Sequence, residues 1–578
     1  MENIEENLEN VPSGCMKELK GFAVTRTERG DESLCAFSEE EAALSKKVEY
    51  LRGEFTVESN GKWSSHFFSI PSSILYEKID DGDTTDFFDS SPSQIKDFLL
   101  WQVLGMRIFV FVLQFLFSSW DFSTDAFKGV PIEEGELSKL DHIIQRVFAG
   151  FKRWDAVHLL HIAQYEYVFE SSLAFFPLYP MVIRVLSMAW AAPFVHLGFI
   201  HVSSALLISA VAINLGCFVI AAAVLYRIVQ LISKSVKQSI IAVLLFSVNP
   251  ASIFFSAAYT ESLYCVLTFS GLLLLLENWP SFLIRYIGSL LCFGLAYATR
   301  SNGLVNLCYV EFFCLVEFLL SIDPENPRRR RVIFGSPIST IISKSIVLIL
   351  RVTFAPLSVS LPIFIHGRRQ QITFCSQSSA NNVPMTLQRL AAEHRLVTVG
   401  RTDIINWCNV SSFIIPPFYT AVQSKYWHVS LLGYWRFRKI PCFLIAGPAF
   451  FIVAFGVYQT WRRLWLKKSL LHLLSEGGDH VPYTLHAVFL AFGALFVYNA
   501  EVLTRVLFSS SPFPYLVLAR WISDSTPQVR LSDLFVPQPF PFFTYFCRRG
   551  LTEFLLYLYL MSYLIFGTTM HAMWLPFT

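Results

Sequence analysis

Residues 203–226 read SSALLISAVAINLGCFVIAAAVLY, and no charged side chain interrupts them. An α-helix needs about 20 apolar residues, at about 1.5 Å of rise each, to cross the hydrocarbon of a bilayer. A helix apolar on every side has no face to offer water, so the solvent of this one is lipid. Comparable runs recur at 98–117 (FLLWQVLGMRIFVFVLQFLF), 282–298, 304–320, 341–365, 442–458, 485–508 and 551–567, with shorter ones at 239–248 and 263–276. The expected fold is therefore all-α, a polytopic transmembrane helical bundle of about 10–11 spans. The eleventh would be the proline-marked segment 173–195, which either crosses or lies in the interface.

Composition agrees. The chain has 578 residues, 53% of them hydrophobic and only 16% charged, with a mean hydropathy of +0.47. A soluble chain would carry about 25% charged residues. The net charge of +2 comes with no basic face interleaved with aromatics, so nucleic acid is not an expected partner. None of the 11 cysteines stands in a CxxC or other zinc-type spacing, and no metal centre is expected. The opening MENIEENLENVPSG is acidic and has no apolar core of a signal peptide. Residues 1–95 read as a polar cytosolic extension, and 96–578 as the membrane domain.

Lysine and arginine set the orientation. With 173–195 not crossing, KSVK (234–237), RRRR (328–331) and WRRLWLKK (461–468) share one side, assigned to the cytosol. The lumenal side then receives loop 118–172 with RWDAVHLLH, then SVNPASIFFSAAYTES, ATRSNG, loop 366–440 and SSSPFPYLVLARW. The N-x-S/T sequon at Asn409 falls on that side, and so do Cys375 and Cys408, where a disulfide can form.

Several polar residues on this side could do chemistry. Asp155, directly after Trp154, is either a carboxylate facing water at the headgroups or a general base at the membrane boundary. His158 and His161 follow at three-residue steps, but Asp155 and His161 diverge by about 120° on a helix, which disfavours a shared metal. Glu166 and Glu170 read as mostly solvated acids. Asn249, Tyr259 and Glu261 lie between two apolar helices, where Glu261 either ends a span or contacts substrate. Arg300 and Asn302 close the next span. Arg300 is either a snorkelling side chain or a phosphate partner, since a guanidinium matches phosphate oxygens. A carboxylate, an arginine and apolar walls suit a lipid-linked phosphate substrate whose tail stays in the bilayer.

In these motifs the chain resembles the PIG-V family of GPI mannosyltransferases, in the GT-C class of multispanning glycosyltransferases. The resemblance runs through RWDAVHLLHIAQYEYVFESSLAFFPLYP, SVNPASIFFSAAYTESLY, ATRSNGLV, WCNVSSFIIPPFYTAVQSKYWHVSLLGYW, VYNAEVLTRVLFSSSPFPYLVLARW and the terminal WLPFT, covering most residues from about 98 onward. The polar residues 1–95 depart from the family pattern. The resemblance implies a multi-pass endoplasmic reticulum enzyme that adds the second, α1,6-linked mannose to a monomannosylated GPI precursor. The donor it implies is dolichol-phosphate-mannose, with no further cofactor, and its partners are the two lipid-linked substrates with room for a small membrane subunit. A β-linked donor and an α-linked product imply inversion, which needs one base opposite the leaving group. Carried over by motif, Asp155 is that base, and Trp154 positions the loop or stacks on a sugar. Arg300 neutralises the phosphate, His158 or Tyr259 assists by hydrogen bonds, Asn302 lines the same end, and Glu261 binds sugar hydroxyls. Asp121 and Asp125, just after the first span, are the rival acids. The competing classes are another dolichol-phosphate-sugar transferase, a transporter or flippase, and a non-catalytic assembly subunit. A transporter would carry mid-span charges and a repeat. The sequence shows no clear repeat, and its motif polars sit at span ends.

Overall fold

The computed structural model describes residues 92–123, 127–132, 134–277, 281–322, 337–466, 480–525 and 550–576. Residues 1–91 of the expected extension 1–95, Asp125 and the arginine run 328–331 lie outside the described residues. In chain order the helices are α1 Pro92–Phe117, α2 Lys139–Val147, α3 Asp155–Tyr165, α4 Leu178–His196, α5 Val202–Ser233, α6 Val236–Ser247 and α7 Glu261–Leu276. They continue with α8 Phe282–Thr299, α9 Leu307–Ile322, α10 Pro337–Phe374, α11 Met385–Glu393, α12 Tyr419–Trp427 and α13 Ile440–Leu466. The last are α14 Val481–Phe496, α15 Val502–Ser510, α16 Phe513–Ser525 and α17 Leu551–Ala572. The protein is an all-α, polytopic membrane protein. Helix α1 begins at Pro92, inside the stretch expected to be a polar extension.

Among the described residues, eight helices are long and apolar enough to cross a membrane, or nine if the bent pair α15–α16 is one span, and α6, α7 and α14 are shorter apolar helices. The stretch 485–508, expected as one span, is broken between α14 and α15. SSSPFPYLVLARW, expected as a lumenal loop, instead supplies α16, the second limb of a pair bent by 80° at Ser511–Pro512. Proline at 512 has no N–H for a continuing helix, so the chain turns there. Helix α16 is buried along most of its length and ends where Lys237 donates to the Ser523 carbonyl at 3.3 Å, beside the start of α6.

Helix α4 is among the helices long and apolar enough to cross a membrane, and side-chain contacts fix the segments on either side of it. Two residues before it, Phe176 packs on Tyr297 near the end of α8 (ring centroids 5.6 Å). After it, Phe199 O accepts from Ser138 Oγ at 2.8 Å and His201 N donates to Asp141 Oδ1 at 2.9 Å, both in the α2 segment. That segment is tied to the end of α1, where Gln114 donates to the Val147 carbonyl at 2.8 Å. Helix α4 is thus tied to α8 on its N-terminal side and to the α2 segment on its C-terminal side.

Arg107 carries a charge buried inside the bundle. Arg107 of α1 donates to the carbonyls of Ser252 (2.8 Å) and Ser247 (2.9 Å) and to the hydroxyls of Ser252 (3.0 Å) and Ser256 (3.1 Å), and lies 4.1 Å over the Phe218 ring. A helix leaves its last carbonyls unpaired, and a cation at that end satisfies them and opposes the dipole. Arg107 therefore closes the end of α6 and fixes the loop that leads to Tyr259. Arg107→Leu strands several buried acceptors at about 1–3 kcal/mol each. The expected result is a melting temperature in detergent lowered by several degrees, with Arg107→Lys lying between; an unchanged melting curve would refute this role.

The loop expected at 366–440 folds on itself. Phe169, Leu173, Phe374, Leu387, Leu390, Trp407, Phe418 and Val422 form a second buried cluster separate from the main core. Cys375 and Cys408 are disulfide-bonded, with Cα atoms 5.8 Å apart, and Asn409 beside them is exposed. Glu170, expected to be solvated, is 2% exposed and accepts from Trp407 Nε1 (3.0 Å), Lys425 Nζ (2.5 Å) and Tyr426 OH (2.8 Å). Its carboxylate clamps this unit onto the segment after α3. Glu166 stays exposed and pairs with Arg184 at 2.9 Å. The disulfide closes a sequence separation of 33 residues, for which loop closure is worth about 4 kcal/mol. Cys375→Ser is expected to make 376–407 several-fold more sensitive to protease, and equal cleavage rates would show that packing alone holds the loop.

Candidate active site

Two helices begin with a carboxylate: Asp155 is the first residue of α3 and Glu261 the first of α7. Helix N-termini favour negative charge there. Arg300 is the residue that ends α8, where a cation is favoured in turn. These ends meet because the segments before α3 and α7 are bonded together. Ala258 N donates to the Phe151 carbonyl at 2.9 Å, and Asp155 N donates to Tyr259 OH at 3.1 Å. Tyr259 OH donates in turn to the Arg153 carbonyl at 3.4 Å, with His571 Nε2 at 3.3 Å.

Trp154 has φ 58° and ψ −128°, a conformation a bulky residue adopts only under constraint. The constraint is visible on both sides. Arg153 donates to the carbonyls of Ser118 (2.5 Å) and Trp120 (3.2 Å), and the Trp154 ring packs on Trp574 at 5.6 Å. The strained turn aims Asp155 into the cluster. In R-S-N-G the glycine has its own reason. A Cβ at Gly303 would sit 2.6 Å from the Tyr297 backbone, so only glycine lets the chain double back on α8 and present Arg300 and Asn302.

The centre is a chain of ion pairs. Arg505 Nη1 donates to Asp155 Oδ2 at 2.8 Å, and Arg505 Nε and Arg300 Nη1 both donate to Glu261 Oε1. Arg300 also donates to Thr260 Oγ1 (2.9 Å) and Asn302 Oδ1 (3.2 Å), and Asn302 donates to Ser510 Oγ at 2.7 Å. The Arg505 guanidinium lies over the rings of Phe254 (4.7 Å) and Tyr259 (4.8 Å). Glu261 is fully buried, whereas Asp155 keeps 32% of its side chain exposed. Burial pushes the Asp155 carboxyl up, but the charge and hydrogen bond of Arg505, with His158 and Arg300 behind, hold it below its ordinary value. Its second oxygen, Oδ1, accepts nothing among the described residues and is not buried.

The other expected residues divide. Trp154, Asp155, Tyr259, Glu261, Arg300 and Asn302 are brought together. His158 is half-buried with its ring between Phe127 and Phe175, each 5.1 Å away, and burial pushes it down to about 4 despite Asp155, so it is neutral near pH 7. His161 is buried against Phe169 with neither ring nitrogen bonded. Asp121 makes no hydrogen bond to the cluster. It is exposed and accepts from Ser123 N (3.0 Å), Ser123 Oγ (2.6 Å) and Lys128 Nζ (3.0 Å). Against slight burial, these bonds lower it to about 2. Asp125 lies outside the described residues. Arg505, Phe254 and His571 were not anticipated. The signal for Arg505 was a charge inside VYNAEVLTRVLF, a stretch otherwise read as membrane span.

Residues 95–578 match the family described as "Mannosyltransferase (PIG-V)". The chain belongs to the PIG-V mannosyltransferase family. This PIG-V protein is 31% identical to the GPI mannosyltransferase pigv-1 of Caenorhabditis elegans, over 85% of this chain and 82% of that one. It is 32% identical to the mouse GPI alpha-1,6-mannosyltransferase 2, over 76% and 87% respectively. Among solved structures, it is similar at a TM-score of 0.36 and 12% identity to the archaeal oligosaccharyltransferase AglB from Archaeoglobus fulgidus, over 81% of this chain and 55% of that one. Membership makes the PIG-V chain a glycosyltransferase and sets aside the transporter reading.

Proposed function

We propose that this PIG-V enzyme transfers an α1,6-linked mannose from dolichol-phosphate-mannose to a monomannosylated GPI precursor, with inversion, at the lumenal face of the endoplasmic reticulum. The family and the names of its relatives support the reaction. The observation that carries the mechanism is the open Oδ1 of Asp155 beside two guanidiniums. In that mechanism the acceptor's 6-hydroxyl oxygen attacks the mannose C1, the C1–O bond to phosphate breaks, and dolichyl phosphate leaves with the bond's electrons. Asp155 takes the hydroxyl proton. A carboxylate held at low pKa is a poor base toward a resting alcohol. It accepts the proton as the attacking oxygen gains positive charge opposite an oxocarbenium-like sugar. The leaving group is already a phosphate, so no strong acid, metal or further cofactor is required. The disulfide and the exposed sequon at Asn409 support a lumenal loop, because disulfides persist in oxidising compartments.

The reading is tested by lipid analysis in cells lacking their own second GPI mannosyltransferase. Rescue with this chain is expected to convert the one-mannose precursor to the two-mannose product. Correctly localised chain that leaves the one-mannose species untouched would overturn the assigned step. Conversion seen only when a small membrane subunit is supplied would add that partner to the reading.

A further inference from the structure

We propose that Arg505 is a substrate-binding residue, which with Arg300 grips the phosphate of the lipid-linked donor while Glu261 braces both. This rests on the reading above and assigns to its donor a residue that the sequence motifs did not.

The geometry begins at one atom. Arg300 and Arg505 both donate to Oε1 of Glu261, so two guanidiniums converge on a single carboxylate oxygen. Like charges gathered this closely repel, and a fully buried Glu261 between them is what makes the arrangement tolerable. Each guanidinium carries five N–H donors in a rigid plane. Arg505 uses Nε on Glu261 and Nη1 on Asp155; Arg300 uses Nε on Asn302 and Nη1 on Thr260 and Glu261. That leaves the Nη2 group of each with no acceptor among the described residues, and neither Nη2 is buried. The side chains as a whole are only 12% and 13% exposed, so what little of them is open belongs to a recess rather than a free surface.

Open donors on two fixed guanidiniums are a site for an anion with several oxygens, and a phosphodiester is such a group. The formal charges of Asp155, Glu261, Arg300 and Arg505 sum to zero, but one carboxylate lies hidden beneath the pair. The face presented is therefore two cations with Asp155 at its edge. Glu261 is on this account a positioning residue and does not bind sugar hydroxyls.

The experiment measures binding of dolichyl phosphate to the purified full chain in nanodiscs, comparing wild type with Arg505→Gln, Arg300→Gln and Arg401→Gln. The last removes an exposed arginine paired with Asp403. The expected result is affinity lowered at least tenfold by each of the first two and unchanged by the third, with inorganic phosphate competing far more weakly than the lipid. Arg505→Gln binding within about twofold of wild type would overturn the inference and leave the reaction assignment standing. If that variant does not purify as a monodisperse species, Arg505→Lys serves instead. It keeps the charge but not the fork, so weakened binding supports the inference and equal binding refutes it. Wild type that binds no dolichyl phosphate at all would instead overturn the donor assignment, and this inference with it.

Discussion

Asp155→Asn is expected to lower mannosyl transfer by about a thousandfold while the chain still folds, since removal of a general base costs about 10²–10⁴ in rate. The amide still accepts from Arg505 Nη1 and still begins α3, so the positioning contacts survive and only proton acceptance is lost. The measurement is transfer from dolichol-phosphate-mannose in membranes carrying equal amounts of each variant. Asp121→Asn, tested beside it, is expected to stay within a few-fold of wild type, because Asp121 is exposed and bonded to Ser123 and Lys128. The reverse ranking would move the base to Asp121. The pH dependence has a definite sign. With its pKa below the ordinary 3.8, Asp155 is ionised from pH 5 upward. Its contribution to stability is present above the unfolded pKa and lost only as pH falls through the lower folded one. Between pH 5 and 8 no acid limb from Asp155 should therefore appear.

The second large effect is on folding. Glu261 has no exposed side-chain area and accepts from both Arg300 and Arg505. Glu261→Ala leaves two largely buried guanidiniums facing each other with their shared acceptor gone, and breaking such a pair costs about 3–5 kcal/mol. A protein's net stability is only about 5–15 kcal/mol, so this variant should accumulate poorly and melt well below wild type in detergent. Glu261→Gln restores one acceptor oxygen without the charge and should fall between. If Glu261→Ala melts with wild type and only transfer is lost, Glu261 is a substrate contact rather than a brace.

How much of this was legible beforehand differs from element to element. The apolar run that becomes α5 announces itself, because a helix in lipid can expose nothing else over its length. Asp155, Glu261 and Arg300 were legible as polar residues at span ends. Arg505 was not, because its stretch reads as one continuous span, whereas the chain breaks after Phe496 and again at Ser511–Pro512. Helix α16 reads as a loop in the sequence for the same reason, since a bend of 80° is decided by what the two limbs pack against. Glu170 looked solvated because its partners Trp407, Lys425 and Tyr426 lie more than 200 residues away in sequence.

The sequence by itself determined the solvent of the chain, its helical class, its family and the motifs from which the site is built. These depend on composition and on neighbours within a helical turn or two, which the linear order displays. Only the tertiary structure decided that Glu170 is a clamp and that two arginines 205 positions apart share one carboxylate oxygen. Those outcomes follow from long-range pairing of buried charge, where a lone ion in a low-dielectric interior is so costly that the fold must bring it a partner from wherever in the chain one exists.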